Sequence, residues 1–152
     1  MGKVGYYEQL LATHGPTYAA VDCGSEESHA IRLRKLGEML PLWGVSVLDV
    51  GCGHGSLLNY VPGVWKEMYR GIDCSAAMIA AAKKAHKGYR FEVGDIQQPK
   101  PEWAADYVLA SGLFQFCSLD EMQKLLAIMF KLAKHGVAAN FLREGRTDEG
   151  VI

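Results

Sequence analysis

The sequence of 152 residues lacks the features that mark a membrane, secreted or metal-stabilised protein. Its four cysteines form no CxxC pair and do not cluster, so they suggest neither a zinc site nor a disulfide framework. No apolar run approaches the length that spans a membrane, and the N-terminus lacks an apolar signal-peptide core. We therefore expect no membrane partner, no bound metal and, by default, a cytoplasmic location.

An excess of charge of one sign is also lacking. The formal net charge is −1, so the sequence predicts no obligatory nucleic-acid partner. Hydrophobic residues make up 49% of the chain and charged residues 22%, and both values are ordinary for a globular protein. We predict a single domain over 1–152, with an N-terminal helical segment (1–44), a core (45–142) and a polar tail (143–152).

Short apolar segments alternate with helical ones along the chain, which is typical of an α/β fold with a parallel sheet. Strands are predicted at 46–50, 68–72, 89–93, 105–110 and 137–142. Helices are predicted at 6–14, 25–41, 56–60, 75–86 and 118–134, and a loop at 15–24. Ser25, Ser75 and Ser118 are the expected N-caps, and Pro62 and Gly63 should stop the short third helix. The last helix has a predicted core face of Met122, Leu125, Leu126, Met129, Phe130 and Ala133.

The most informative stretch is VLDVGCGHGS, in which a buried β-branched strand runs into three alternating glycines. Glycines at 51, 53 and 55 let the backbone turn sharply and approach a ligand. A phosphate-binding loop is usually spaced GxGxxG, whereas here the third glycine comes one residue early and Asp49 stands just upstream, where it would repel a pyrophosphate. The pattern therefore disfavours phosphate, and the alternative is a glycine-rich turn with no ligand.

Acids follow three successive predicted strands at Asp49, Asp73 and Asp95. A doubly wound sheet with strand one in the centre brings these strand ends to one edge. Asp73 lies 22 positions after Gly51, the distance expected for an acid that binds ribose hydroxyls, and Asp95 can accept a hydrogen bond from an exocyclic amine. The alternative is that each aspartate only caps a turn. An acid-lined adenosine pocket with a cation near Asp49 fits S-adenosylmethionine better than a dinucleotide.

The segments VLDVGCGHG, GIDCSAAMI, FEVGDI and DYVLASGLFQF resemble motif I and the three following segments of class I S-adenosylmethionine-dependent methyltransferases, of the small bacterial or phage type. The resemblance implies a Rossmann-like doubly wound sheet of five mostly parallel strands in the order 3-2-1-4-5, with flanking helices and an N-terminal helical lid. It also implies methyl transfer to an unidentified acceptor, here expected to be a small molecule, with S-adenosylhomocysteine as product. The alternatives are a non-catalytic S-adenosylmethionine-binding module and an NAD-dependent oxidoreductase.

By this resemblance, the methionine moiety faces Gly51, Gly53 and the backbone near Cys52, while Asp49 acts around its amino end. The adenosine side is formed by residues that follow strands two and three: Asp73 at the ribose, Cys74, Met78 and Ile96 near the adenine, and Asp95 at the adenine amine. Ser111 and Gly112 border the sulfonium and the acceptor.

The N-terminal segment is expected to fold over the cofactor. Arg32 is a candidate partner of the methionine carboxylate, because a guanidinium suits a bidentate anion; the alternative is a solvated helix face. Tyr7 and Tyr18 are further candidates to reach the site. The histidines at 14, 29 and 54 are candidate general bases by position, and no catalytic residue is assigned.

The family's sheet usually continues past strand five, whereas this chain ends about ten residues after it. Strand five should therefore be an exposed edge. We interpret the chain as a fragment, a natural minimal form, or a chain completed by a partner strand or a second copy.

Overall fold

The computed structural model describes residues 2–41, 44–61 and 66–141. The predicted tail, the expected stop signals Pro62 and Gly63, and Leu142 at the end of predicted strand five lie outside the described residues.

A five-stranded sheet forms the centre of the protein, in the order β3-β2-β1-β4-β5. All four strand pairings are parallel, which confirms the predicted Rossmann-like architecture. Val50 pairs with both Ile72 and Ala110, so the carboxyl ends of the three central strands lie level at one edge. The strands are β1 (Val47–Val50), β2 (Tyr69–Asp73), β3 (Arg90–Val93), β4 (Ala105–Ala110) and β5 (Ala133–Ala139).

Four α-helices and three short 3₁₀ helices connect the strands. The α-helices are α1 (Lys3–His14), α2 (Glu26–Glu38), α3 (Ala76–Ala85) and α4 (Leu119–Leu132). The three expected serine caps are present, because the hydroxyls of Ser25, Ser75 and Ser118 each accept a backbone N–H of the first turn. The 3₁₀ helices cover Tyr18–Val21, Ser56–Asn59 and Pro101–Trp103.

The predicted ends of two helices were wrong. Helix α2 ends at Glu38 rather than at Pro41, because a residue that precedes proline is disfavoured in the helical region. Helix α4 ends at Leu132, and β5 begins at once because Ala133 is extended and pairs with Ala105 of β4. The predicted loop at 15–24 also contains the 3₁₀ helix Tyr18–Val21.

The predicted core face of α4 was wrong at Phe130, whose side chain is 63% exposed. The buried stripe consists of Leu125, Met129 and Leu132, at the i, i+4, i+7 spacing of one helix face. Phe130 follows Met129 directly and is therefore turned by about 100° from that stripe.

Apolar clusters cover both faces of the sheet, as expected for parallel strands. One cluster joins Val47, Tyr69 and Phe91 to Leu33 and Leu36 of α2. The other joins Leu48, Ile72 and Val108 to residues of α4, including Leu125 and Met129. Both faces of β1 are thus buried, and the predicted acids Asp49, Asp73 and Asp95 lie at or just beyond the carboxyl ends of their strands. Over 2–41, 44–61 and 66–141, no helix is long and apolar enough to cross a membrane.

Candidate functional site

Two adjoining cavities open at the carboxyl ends of the central strands. The larger has a volume of about 230 Å³ and the smaller about 40 Å³, and both are lined by Val21, Gly51, Ser111 and Gly112. All twelve residues predicted from the sequence line one cavity or the other. The smaller cavity includes Arg32, Asp49 and Cys52. The larger includes Gly51, Gly53, Asp73, Cys74, Met78, Asp95, Ile96, Ser111 and Gly112.

The glycine loop, residues 51–55, follows β1 and forms the wall between β1 and the N-terminal segment. The backbone N–H groups of Gly51 and Cys52 both donate to the carbonyl of Ile72, at 2.9 and 3.0 Å, so the loop is fixed to the end of β2. Gly53 has a φ of +53°, and a Cβ there would lie 3.2 Å from the Cγ1 of Val21. The conformation and the close approach both favour glycine at this position.

Asp73 joins the end of β2 to the glycine loop. Its carboxylate accepts the Gly53 N–H at 2.9 Å and the Ser75 N–H at 2.8 Å. Burial raises the pKa of Asp73, and these two N–H groups partly oppose that shift. A carboxylate oxygen has more than one lone pair, so Asp73 can also accept hydrogen bonds from a ligand in the larger cavity, which it lines.

Asp49 is the most deeply buried acid of the site, with 3% of its surface exposed. Burial raises its pKa to about 7, and the hydrogen bond that it accepts from the Tyr69 hydroxyl at 2.7 Å opposes the shift. A cation in the smaller cavity would favour the ionised form. Asp49 therefore lies where a positively charged group of a ligand would be stabilised.

The far side of the larger cavity is formed by the turns after β2 and β3. Asp95 accepts the N–H of Gln97 at 2.8 Å through one carboxylate oxygen. Met78 and Ile96 are buried and apolar, whereas Cys74 is exposed. This side thus combines an acceptor carboxylate with an apolar surface.

Asn140, just beyond β5, is a residue that the sequence analysis missed. Its amide donates to the Ser111 hydroxyl at 2.9 Å, and its oxygen accepts the Gly112 N–H at 2.9 Å. It therefore holds the turn after β4, which lines both cavities. The sequence feature that could have identified Asn140 is a polar residue at the carboxyl end of a parallel strand.

Comparison with known proteins agrees with this geometry. The family described as "Methyltransferase domain" matches residues 47–136, more than half of the chain. The chain belongs to this methyltransferase family. The match confirms the class I methyltransferase resemblance seen in the sequence.

Two curated relatives are methyltransferases. The malonyl-[acyl-carrier protein] O-methyltransferase of Pectobacterium atrosepticum is 30% identical over 151 residues, which cover 95% of this chain and 57% of that protein. A trans-aconitate 2-methyltransferase of Escherichia coli is 34% identical over 94 residues, which cover 61% of this chain and 37% of that protein. The chain therefore spans little more than half the length of the first relative and about a third of the second.

Two solved structures show the same fold. One is the magnesium protoporphyrin IX methyltransferase of Synechocystis PCC 6803 with bound SAH (S-adenosylhomocysteine). Its TM-score is 0.64 at 19% sequence identity, and the match covers 86% of this chain and 62% of that one. The other is a putative methyltransferase of Haloferax volcanii in complex with the Trm112 activator. Its TM-score is 0.67 at 21% identity, covering 88% of this chain and 56% of that one.

The N-terminal segment, residues 2–41, covers the cavities through side-chain contacts. The Ser75 hydroxyl donates to Glu8 of α1 at 2.9 Å, and a ring nitrogen of His54 lies 3.1 Å from the Thr17 carbonyl oxygen. Tyr7 lines the larger cavity. Tyr18, the other tyrosine expected to reach the site, lines neither cavity and is 36% exposed.

The three histidines that are candidate bases have different positions. His29 lines the smaller cavity, and its Nε2 lies 3.0 Å from the Ser56 hydroxyl. His54 is buried against the N-terminal segment, and His14 lines neither cavity. Burial lowers the pKa of both His29 and His54, so each is mainly neutral near pH 7. None of the three is placed as a catalytic residue by this geometry.

Proposed function

We propose that the chain binds S-adenosylmethionine in the two adjoining cavities and transfers its methyl group to a small-molecule acceptor. The observation that carries this proposal is the convergence of the twelve predicted residues on those cavities, with an acid at the end of each of β1, β2 and β3. Membership of the methyltransferase family supports the reaction class.

The residues fit the chemistry of this cofactor. Asp73 and Asp95 offer carboxylate oxygens to ribose hydroxyls and an adenine amine in the larger cavity. Asp49 and Arg32 line the smaller cavity, where they suit an ammonium and a carboxylate respectively. Asp49, just before the glycine loop, would repel a pyrophosphate, which disfavours the NAD-dependent alternative. Bound S-adenosylmethionine supplies an activated methyl group, so the chain mainly orients the reactants and excludes water.

The acceptor is proposed to lie between the turn after β4 and the N-terminal segment. Leu113, Phe116 and Val4 give this part of the larger cavity an apolar surface. One relative is named for trans-aconitate and another for malonyl-[acyl-carrier protein], so relatives of this chain differ in acceptor. A small molecule or a small group on a carrier is proposed, because the acceptor shares this cavity of about 230 Å³ with the adenosine.

Calorimetry with S-adenosylhomocysteine and NAD tests the cofactor. We expect S-adenosylhomocysteine to bind and Asp73→Ala to weaken its affinity about 100-fold, because charge-assisted hydrogen bonds to the ribose are lost. Asp120→Ala removes an exposed acid of α4 and should leave the affinity unchanged. Tight NAD binding with no response to S-adenosylhomocysteine would overturn the proposal.

The second candidate function is a non-catalytic S-adenosylmethionine-binding module. It needs only the residues that line the two cavities, and no catalytic residue is assigned among them. Incubation with S-adenosylmethionine and pools of small acids, amines and thiols separates the two. Formation of S-adenosylhomocysteine supports the enzyme, whereas cofactor binding without product in every pool supports the module.

Strand β5 is the last strand on its side of the described sheet. We propose that a partner strand or a second copy of the chain covers this edge, since an uncovered edge favours association. Light scattering across a concentration series tests the second copy. A monomer at all concentrations would exclude the second copy. The partner strand would then be tested by hydrogen exchange, because a strand paired with β5 protects its backbone amides.

A further inference from the structure

Positive charge is concentrated at the edge of the sheet formed by β3, away from the cofactor cavities. The stretch KKAHKGYR, residues 83–90, contains four lysines and arginines and no acid, although the whole chain has a net charge of −1. An open groove of about 460 Å³ follows this edge. It is lined by Arg70, Lys83, Tyr89, Arg90, Phe91 and Glu92.

The cations of this groove exceed the acids that could neutralise them. Arg70 and Arg90 are register partners on neighbouring strands, and like charges in such a position repel. Glu92, the only acid that lines the groove, already contacts Arg70 at 3.4 Å and the Lys100 ammonium. Within the described residues, Arg90 and Lys83 form no ion pair. An anionic partner would therefore reduce the repulsion among these cations, two of which the described residues leave without an ion pair.

The two aromatic residues of the groove argue against a nucleic acid, since Phe91 is buried and the Tyr89 ring has other contacts. Tyr89 packs edge-on against Tyr69 at a centroid distance of 5.8 Å, and the Lys66 ammonium lies over its ring at 5.9 Å. Single-stranded nucleic acids use accessible aromatic faces as stacking platforms. Because the Tyr89 ring is already engaged, carboxylates are better suited to this surface than nucleobases.

The position of the groove suggests the form of the ligand. Strand β3 is the outermost strand of the sheet and pairs only with β2 among the described strands, so one side of its backbone is available for pairing. Arg70 lies three residues before Asp73 in β2, or about 10 Å away along the strand. A ligand in the groove would thus leave the cofactor cavities open.

We propose that this groove binds an extended acidic segment of a partner protein, which pairs with the free edge of β3 while its carboxylates meet Arg70, Lys83 and Arg90. Main-chain hydrogen bonds to β3 would supply affinity, and the cations would supply selectivity for acidic side chains. The proposal is independent of methyl transfer, because it uses no residue of the cofactor cavities.

The test uses a fluorescein-labelled peptide of about 12 residues in which glutamate and valine alternate, with binding followed by anisotropy at low salt. We expect Lys83→Glu combined with Arg90→Glu to weaken binding at least about tenfold. The matched control, Lys124→Glu with Lys131→Glu, makes the same charge change on exposed positions of α4 and should alter affinity less than about twofold. Retained binding of S-adenosylhomocysteine in both proteins shows that they are folded.

Three further arms decide the proposal. A peptide N-methylated at alternate positions cannot pair fully with β3 and should bind more weakly than the parent peptide. A peptide of alternating lysine and valine should not bind. No binding of the acidic peptide, an equal loss in the α4 control, or tighter binding of a single-stranded RNA of similar length would each overturn the proposal.

Discussion

The glycine loop and the N-terminal segment border the same cavities but are held in place by different forces. Around the loop, Asp49, Cys52 and His54 are each less than 8% exposed, and backbone hydrogen bonds join the loop to β2. In the N-terminal segment, α1 contains no buried residue. It contacts the rest of the protein through a few side chains: Glu8 accepts a hydrogen bond from the Ser75 hydroxyl, and the Tyr6 and Tyr7 rings pack against Phe116.

This difference indicates which part of the site is preformed. Buried packing and paired backbone groups resist local opening, whereas an element with few buried contacts opens at low free-energy cost. The glycine loop is therefore expected to stay in place when α1 moves. We therefore expect that a substrate enters beneath α1 without disturbing the acids that are proposed to bind the cofactor.

The largest expected effect comes from adding one methyl group to a glycine of each region. Gly55 and Gly15 both have positive φ, +83° and +65°. A Cβ at Gly55 would lie 2.9 Å from His86 and 3.0 Å from Phe91, whereas one at Gly15 would meet nothing within 4 Å. Gly15, with a ψ of −173°, also has a backbone conformation that favours glycine. In urea titrations we expect Gly55→Ala to lower the free energy of unfolding by about 4 kcal/mol, from backbone strain and overpacking together, and Gly15→Ala by about 2 kcal/mol, from backbone strain alone. Equal losses would contradict the proposed difference in packing.

The next largest effect is a pH dependence that originates at Asp49. Its pKa in the folded protein is about 7, above that of an unfolded aspartate, so the folded state binds more protons between these two values. The stabilisation from this group is therefore complete in acid and is lost as the pH rises through 7. Relative to Asp49→Asn, the wild type should lose about 2 kcal/mol of unfolding free energy between about pH 5 and pH 8.

Comparison with the asparagine variant cancels the titration of the histidines. Asp106 supplies a matched control, because hydrogen bonds from Ser46 hold its pKa below the ordinary range. Asp106→Asn should therefore show no such trend over the same interval. If the free energy of unfolding varies with pH in the same way in the wild type and in Asp49→Asn, the pH dependence does not originate at Asp49.

A smaller effect is expected at the turn after β4, which extends the comparison to the opposite side of the cavities. Asn140→Ala removes both hydrogen bonds that hold Ser111 and Gly112. We expect the affinity for S-adenosylhomocysteine to fall about tenfold by calorimetry, which corresponds to about one net hydrogen bond. Asn59→Ala, on the exposed end of a 3₁₀ helix, should have no effect. Unchanged affinity in Asn140→Ala would remove this residue from the site.

The smallest effect is local. Glu8→Ala removes the hydrogen bond between α1 and Ser75. We expect the backbone amides of α1 to exchange with deuterium about fivefold faster, because the free energy of local opening falls by about 1 kcal/mol. Glu27→Ala, on the exposed first turn of α2, is the control. The exchange rates of the backbone amides in the glycine loop should be unchanged in both variants. Faster exchange there as well would show that the two regions open together.

Much of the fold was predictable because strand and helix signals are local. The parallel sheet followed from short apolar segments that alternate with helical ones, and the serine caps followed from single residues. The errors arose where tertiary contacts override local preference. Ala133 has a high helix propensity, yet pairing with Ala105 places it at the start of β5. Phe130 is apolar, but the core lies under Met129 instead.

By itself the sequence determined the strand–glycine–acid pattern, since the tight turn needs glycine and the strand ends supply the carboxylates. It therefore specified the glycines and acids that line the two cavities. Only the tertiary structure decided that Asn140 meets Ser111 and Gly112, and that α1 reaches Ser75 through Glu8. These contacts join residues far apart in the chain, so no local pattern specifies them. Their geometry depends on how the packed sheet brings β4, β5 and α3 together.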